Sequence, residues 1–167
     1  MTAAGSNLLL LLLFALQHSC MARWPGLRRR TYALASYAAV ACLWALWRPL
    51  PDLLWRTSPW VWPLWVASWA LLVGAAVSLG AGELLGWREP GPAVFREPLL
   101  YRYSRHPLYV AMLGILWLRP LMTEGGLLLA AGLTVYLFIG MQFEERKLVR
   151  ELGEAYREYQ RRVRPLL

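Results

Sequence analysis

Charge is scarce in this 167-residue chain. Charged residues make up 17% of it and hydrophobic residues 58%, whereas an ordinary soluble domain is about 25% charged and about 45–50% apolar. Disorder is excluded and a water-soluble globule disfavoured. Cysteine and histidine are scarcer still, at two each. Cys20 and Cys42 both lie in apolar runs, which argues against a disulfide framework or a cysteine metal site. His18 and His106 form no His-x-x-x-His pair, so no metal is expected. Gly80, Gly82, Gly86 and Gly91 are not followed by the Lys-Ser/Thr of a phosphate loop. No G-x-S-x-G elbow and no nucleic-acid-binding module is present. Lysine is almost missing: Lys147 stands alone beside seventeen arginines, and the net charge is +8. A basic balance can serve nucleic acid or an anionic membrane face, and the apolar content selects the membrane.

Long apolar runs are plentiful. A membrane-spanning helix needs about 20 mostly apolar residues. Five stretches qualify, at roughly 4–21, 31–48, 60–82, 106–121 and 124–143. The first has no basic region ahead of it and Gln17-His18-Ser19 is a poor cleavage site, so it reads as a retained span. Pro107 suits the first turn of the fourth, and Thr123 suits the N-cap of the fifth. The short link 119–126 makes spans four and five a helical hairpin. Trp60, Trp62, Trp65 and Trp69 crowd one end of the third span, as interfacial aromatics do. The expected fold is all-α, a single membrane domain over 1–167 with about five transmembrane helices and a cytoplasmic amphipathic C-terminal helix. Fifteen of the eighteen basic residues fall on one side of that topology. The other side holds Arg48, Arg56 and Arg119. The bias puts the N-terminus outside and the C-terminus in the cytoplasm, and an odd number of spans agrees.

The tail, 144–163, repeats Leu148, Val149, Leu152, Tyr156, Tyr159 and Val163 at helical spacing, with Gly153 as a bend. Glu145 shares that apolar face and so needs a partner. Glu144 aligns with Lys147 as a solvated i,i+3 pair. In this topology His18, His106, Glu144, Glu145 and the run Tyr101–Tyr109 all reach one cytoplasmic-side zone. Ionisable residues near membrane depth are functional candidates.

Arg105-His106-Pro107-Leu108-Tyr109, followed by Glu144-Glu145 and then Leu148, Gly153, Tyr156, Tyr159 and Val163, resembles the isoprenylcysteine carboxyl methyltransferase family. Gln17-His18-Ser19, Met21-Ala22-Arg23, Trp47-Arg48-Pro49 and Gly140-x-Gln142-x-Glu144-Glu145-Arg146 resemble its bacterial methanethiol S-methyltransferase branch. The resemblance implies an integral membrane enzyme of the bacterial inner membrane that uses S-adenosylmethionine. It implies cofactor contacts at Tyr101, His106, Pro107, Leu108, Tyr109, Glu144 and Glu145, with Ala93–Arg96 nearby. Prenylcysteine enzymes carry an arginine one turn before the acidic pair, where this chain has Gly140, which favours a substrate without a carboxylate.

The chemistry agrees with that pocket. Aromatic faces at Tyr101 and Tyr109 can hold a sulfonium cation. Backbone N–H groups opening span four can take a cofactor carboxylate, and Glu144 or Glu145 can accept from ribose or amino groups. A thiol acceptor attacks as thiolate, and a free thiol titrates near about 8.5, so a base or cation would help. His18 and Arg105 are the catalytic candidates. The expected partners are a small lipophilic substrate and membrane lipids, with no nucleic acid. Alternative acceptors are an isoprenylcysteine carboxyl group or a lipid, and an alternative of another class is a non-catalytic membrane assembly protein.

Overall fold

A computed structural model of the chain describes residues 1–24, 26–88 and 97–166, with the side chains of Glu83 and Leu84 excepted. The expected contacts at Ala93–Arg96 lie outside the described residues. The molecule is mostly helical: α1 (Ala3–Ala22), α2 (Arg29–Leu46), α3 (Trp62–Ser78), the one-turn α4 (Ala81–Leu84), α5 (Pro107–Trp117), α6 (Glu124–Leu152) and α7 (Glu154–Arg162). Among the described residues three helical segments are long and apolar enough to cross a membrane: Ala3–Ala22, Pro59–Ser78 and Glu124–Leu152. Their apolar side chains face outward. Leu8, Leu9, Leu12, Leu13 and Leu16 of α1, Val66, Val73 and Val77 of α3, and Val135, Phe138 and Ile139 of α6 are all exposed. In water so large an apolar surface would drive aggregation; in lipid it is the solvated face. The chain is an integral membrane protein.

The contacts fix the helix directions. Leu11 lies where a side chain at Gly132 would clash, Phe14 and His18 meet Tyr136, and Arg23 lies over the Phe143 ring. Both series rise together, so α1 and α6 run parallel. His18 meets Tyr32 and Ser36, while Asn7 meets Arg48, so α2 runs opposite to α1. Trp117 meets Thr134 and Tyr109 meets Glu144, so α5 runs opposite to α6. Trp65 donates to the Ile115 carbonyl, and Gly74 lies against Leu100, so α3 opposes α5. Directions therefore alternate along the chain. The α3–α5 contact is close: a Cβ on Gly114 would fall 2.2 Å from Ser68 Oγ.

Three features depart from the sequence reading. First, the mostly helical chain also carries one short ribbon that the apolar pattern does not show. β1 (Leu53–Arg56) and β2 (Leu121–Thr123) form an antiparallel two-stranded ribbon. It ties the α2–α3 and α5–α6 connections together at one end of the bundle. Residues just after Pro51 and Pro120 cannot continue the preceding helices, and their backbone groups pair with each other instead. Second, α5 has only 11 residues, about 16 Å of rise. The fourth stretch ends at Trp117 rather than near 121, because residues 121–123 belong to β2. Third, the tail helix is not separate from the fifth stretch. α6 continues for 29 residues, about 44 Å, and carries 144–152 beyond the apolar run. The bend comes at Gly153, whose φ of 61° favours glycine. Thr123 caps α6 through a 3.1 Å bond from the Gly126 N–H.

Candidate active site

The end of the bundle opposite the ribbon gathers the polar side chains. α5 opens there because Pro107 occupies its first turn, which places Arg105 and His106 just ahead of the helix. α6 passes alongside and presents Glu144 and Glu145, which point to different partners.

Glu145 is the hub of a buried network. Arg105 forks onto it, with Nε donating to Oε1 at 2.9 Å and Nη2 to Oε2 at 3.0 Å. His106 Nε2 lies 2.6 Å from Oε1, and Tyr156 Oη donates to the same oxygen at 3.0 Å. Gln160 donates to Oε2. Such a fork-on-carboxylate pair fixes both position and angle. The Arg105 side chain is 10% exposed and that of Glu145 12%. Arg105 Nη1 also donates to the carbonyls of Val163, at 2.6 Å, and Gln160, at 3.3 Å. Arg105 therefore fastens the end of the chain against the start of α5.

The tail reinforces the same seam through its backbone. The Arg105 and His106 N–H groups donate to the carbonyls of Arg164 and Pro165. Those amides, expected to face a cofactor carboxylate, are consumed by the tail instead. Tyr156, Tyr159 and Val163 bury against Leu148, Val149 and Leu152, and Tyr159 Oη donates to the Tyr101 carbonyl. Burial raises the Tyr156 phenol, with Glu145 adding to the shift. Burial and then Glu97 push Tyr159 up to about 12. Both phenols stay protonated and keep donating at neutral pH.

Glu144 lies outside this hub. Its expected pairing with Lys147 does not form, since Lys147 reaches Glu151 at 3.8 Å. Glu144 instead accepts from Tyr109 Oη at 2.7 Å, and its side chain is 46% exposed. The His106 imidazole sits between the acids, with Nδ1 3.7 Å from Glu144. It stacks on the Tyr109 ring with centroids 5.1 Å apart. Gly140 is the next turn of α6, and a Cβ there would lie 3.7 Å from Tyr109 Oη. Leu108 is half-buried and Pro107 buried in the seam. Burial raises the Tyr101 phenol, and the Glu144 charge adds to the shift.

His18 occupies a second cluster, one and two turns further along the same face of α6. Tyr136, Gly140 and Glu144 recur every four residues, so they share a face and span about 12 Å. The His18 ring lies between Phe14, Tyr32 and Tyr136, at centroid distances of 5.6, 5.1 and 6.2 Å. Its Nε2 is 2.7 Å from Tyr32 Oη, and its Nδ1 is 3.1 Å from Ser36 Oγ. Ser36 spends its one proton on the Tyr32 carbonyl at 2.8 Å. Ser36 Oγ therefore accepts from His18 Nδ1–H, which leaves Nε2 to accept the Tyr32 phenol. Tyr109 Oη lies beside Gly140, one turn of α6 from the Tyr136 ring that meets His18, so the two clusters adjoin along one face of α6.

The sequence reading named neither Tyr32, Ser36, Tyr136 nor Gln160. Tyr32 and Tyr136 carried a legible signal, as hydroxyls inside apolar stretches at the depth of His18. Gln160 carried none, because its role depends on where the tail folds back.

No family model and no solved structure matches the chain. Curated relatives do. Methanethiol S-methyltransferase 1 of Bradyrhizobium diazoefficiens is 36% identical, over 96% of this chain and 65% of its own length. The methanethiol S-methyltransferase of Mycobacterium tuberculosis is 37% identical, over 96% of this chain and 76% of its own. That of a Pseudomonas species is 39% identical, over 93% and 69%. This chain thus spans 65–76% of the length of these relatives, and on similarity that extends from its first helix to its tail it belongs to the methanethiol S-methyltransferase family.

Proposed function

We propose that the chain transfers a methyl group from S-adenosylmethionine to a small lipophilic thiol of the methanethiol kind, as a single membrane unit of a bacterial inner membrane. The observation that carries this reading is the adjacency of two clusters along one face of α6. One offers a carboxylate and stacked rings, and the other a base with its proton partner.

The residues present suit the cofactor. The stacked His106–Tyr109 pair offers a ring face for a cation, and the half-exposed Glu144 can accept from amino or hydroxyl groups. Tyr101 closes the side, and Pro107 and Leu108 hold the seam. When bound, S-adenosylmethionine supplies an electrophilic methyl on a sulfonium. The chain itself positions the acceptor, excludes water and takes the thiol proton, and positioning of this kind accounts for most of the rate in such transfers.

For the proton, Tyr32 stands ahead of His18. The thiol S–H gives its proton to Tyr32 Oη as the Tyr32 proton passes to His18 Nε2. The acceptor becomes a thiolate and His18 an imidazolium that still donates through Nδ1 to Ser36. Arg105, whose donors already serve Glu145 and the tail, acts in this reading as a positioning residue. Its role is to hold His106 and the α5 entrance in place.

Loss of the Glu144 contact is expected to weaken the cofactor alone. Glu144→Gln and Tyr109→Phe should each reduce S-adenosylhomocysteine affinity about tenfold, the scale of one charge-assisted hydrogen bond, with the melting temperature unchanged. Calorimetric titration of the detergent-solubilised protein reads this directly. Wild-type affinity in both variants would remove the pocket assignment.

The alternating helix directions support five crossings with the N-terminus outside. The short α5 then crosses with the help of the segments around it. A reporter at Asp52 is expected outside and one after Leu167 in the cytoplasm. A cytoplasmic signal at Asp52 would end both the five-crossing reading and the cytoplasmic placement of the site.

A further inference from the structure

At the ribbon end, far from His106, a cavity of about 580 Å³ lies between α2 and α6. Its walls are apolar: Leu43 and Trp44 on α2 with Trp47 just past its end, Leu129 and Leu133 on α6, and Phe14 of α1. Trp44 in its lining is 85% exposed, so the cavity reaches the outer apolar surface.

Arg119 is the charged residue that lines it among the described residues. Its guanidinium lies over Gly126, where a Cβ would fall 2.8 Å from Nη1, and the Trp47 indole lies over Gly125 in the same way at 3.4 Å. No hydrogen bond or ion pair among the described residues engages that guanidinium. The neighbouring amides are already used, by the Asp52 and Leu50 carbonyls and by the Thr123 hydroxyl. A half-buried cation without a counter-charge is costly, and an anion from outside the chain would relieve it. Trp47 and Trp55 lie at the same level, as residues at the headgroup depth of a bilayer do.

We propose that this cavity holds one anionic phospholipid, with its phosphate on Arg119 and an acyl chain along Leu129 and Leu133 toward Phe14. A lipid matches each feature: the opening to the apolar surface, the apolar walls and the arginine in the lining. Phe14 also stacks on His18, so the chain end stops one ring short of the second cluster.

The test is native mass spectrometry of the solubilised protein offered equal phosphatidylglycerol and phosphatidylcholine. Wild type is expected to retain one phosphatidylglycerol with about tenfold preference. Arg119→Gln should bring the preference near unity, and Leu133→Trp should reduce retention of both lipids. Equal retention by wild type, or an undiminished preference in Arg119→Gln, would overturn the proposal. Displacement of the lipid by inorganic phosphate at equal concentration would also overturn it, since the acyl chain would then contribute nothing. If Arg119→Gln does not fold, quenching decides. Phosphatidylglycerol with brominated chains should quench a tryptophan component that Trp44→Phe with Trp47→Phe removes. No such component would refute the site.

Discussion

Tyr32→Phe is expected to slow methyl transfer as severely as His18→Ala. General-base assistance is worth roughly 10²–10⁴ in rate, and each variant should lose a factor of that order in kcat near pH 7. Cofactor affinity should move little, because Glu144 takes its hydrogen bond from Tyr109 and neither His18 nor Tyr32 bonds to it. The equivalence of the two variants is the informative part. His18 Nε2 already accepts the Tyr32 phenol at 2.7 Å, so a thiol reaches the imidazole only through that hydroxyl. If His18 took the proton directly, Tyr32→Phe would clear its way and leave the rate nearly intact. Groups that act as one unit are non-additive, so the double variant should be no slower than either single one. Both losses should shrink as the pH rises, because the fraction of thiolate formed without help from the protein grows about tenfold per pH unit. The measurement is single-turnover methylation of methanethiol between pH 6 and 9. Wild-type rates in both variants across that range would leave His18 and Tyr32 as a packing pair.

The second large effect is on stability. Glu145→Leu is expected to cost about 3–5 kcal/mol, because removing one partner of a buried pair strands the other. Arg105 would keep its charge at 10% side-chain exposure with only the Val163 and Gln160 carbonyls as acceptors. The melting temperature of the solubilised protein should fall by roughly 10 °C. The tail should also become cleavable by protease, since Tyr156 and Gln160 lose their anchor together. Combining Glu145→Leu with Arg105→Met should recover part of the loss, because no unpaired charge remains. Glu144→Gln is the control: its carboxylate is half-exposed and takes its short hydrogen bond from Tyr109, so the melt should hold. An unchanged melting temperature in Glu145→Leu would mean that the tail is held by Tyr156, Tyr159 and Val163 rather than by the ion pair.

The two neighbouring acids show how far residue patterns reach. Helical spacing put Glu145 on the face of Leu148, Val149 and Leu152, and an acid on such a face requires a partner whatever the fold. Spacing could not supply that partner's identity, since Arg105 lies 40 residues away. For Glu144 the nearest opposite charge at helical spacing was Lys147. Local spacing was outweighed there by Tyr109, which α5 brings alongside α6.

The sequence by itself determined the membrane setting, the positions of the long helices, the caps and breaks at Thr123, Pro107 and Gly153, and the end of the bundle where polar groups gather. These follow from apolar run length, backbone chemistry and charge bias, which are local properties of the chain. Only the tertiary structure decided the β1–β2 ribbon, the shortness of α5, the engagement of Arg105 by the tail and the pairing of His18 with Tyr32. Each of these depends on which backbone and side-chain groups meet across the bundle. A hydrogen bond is directional and short, so a displacement of a single residue along either helix would exchange one partner for another while leaving the apolar pattern unchanged.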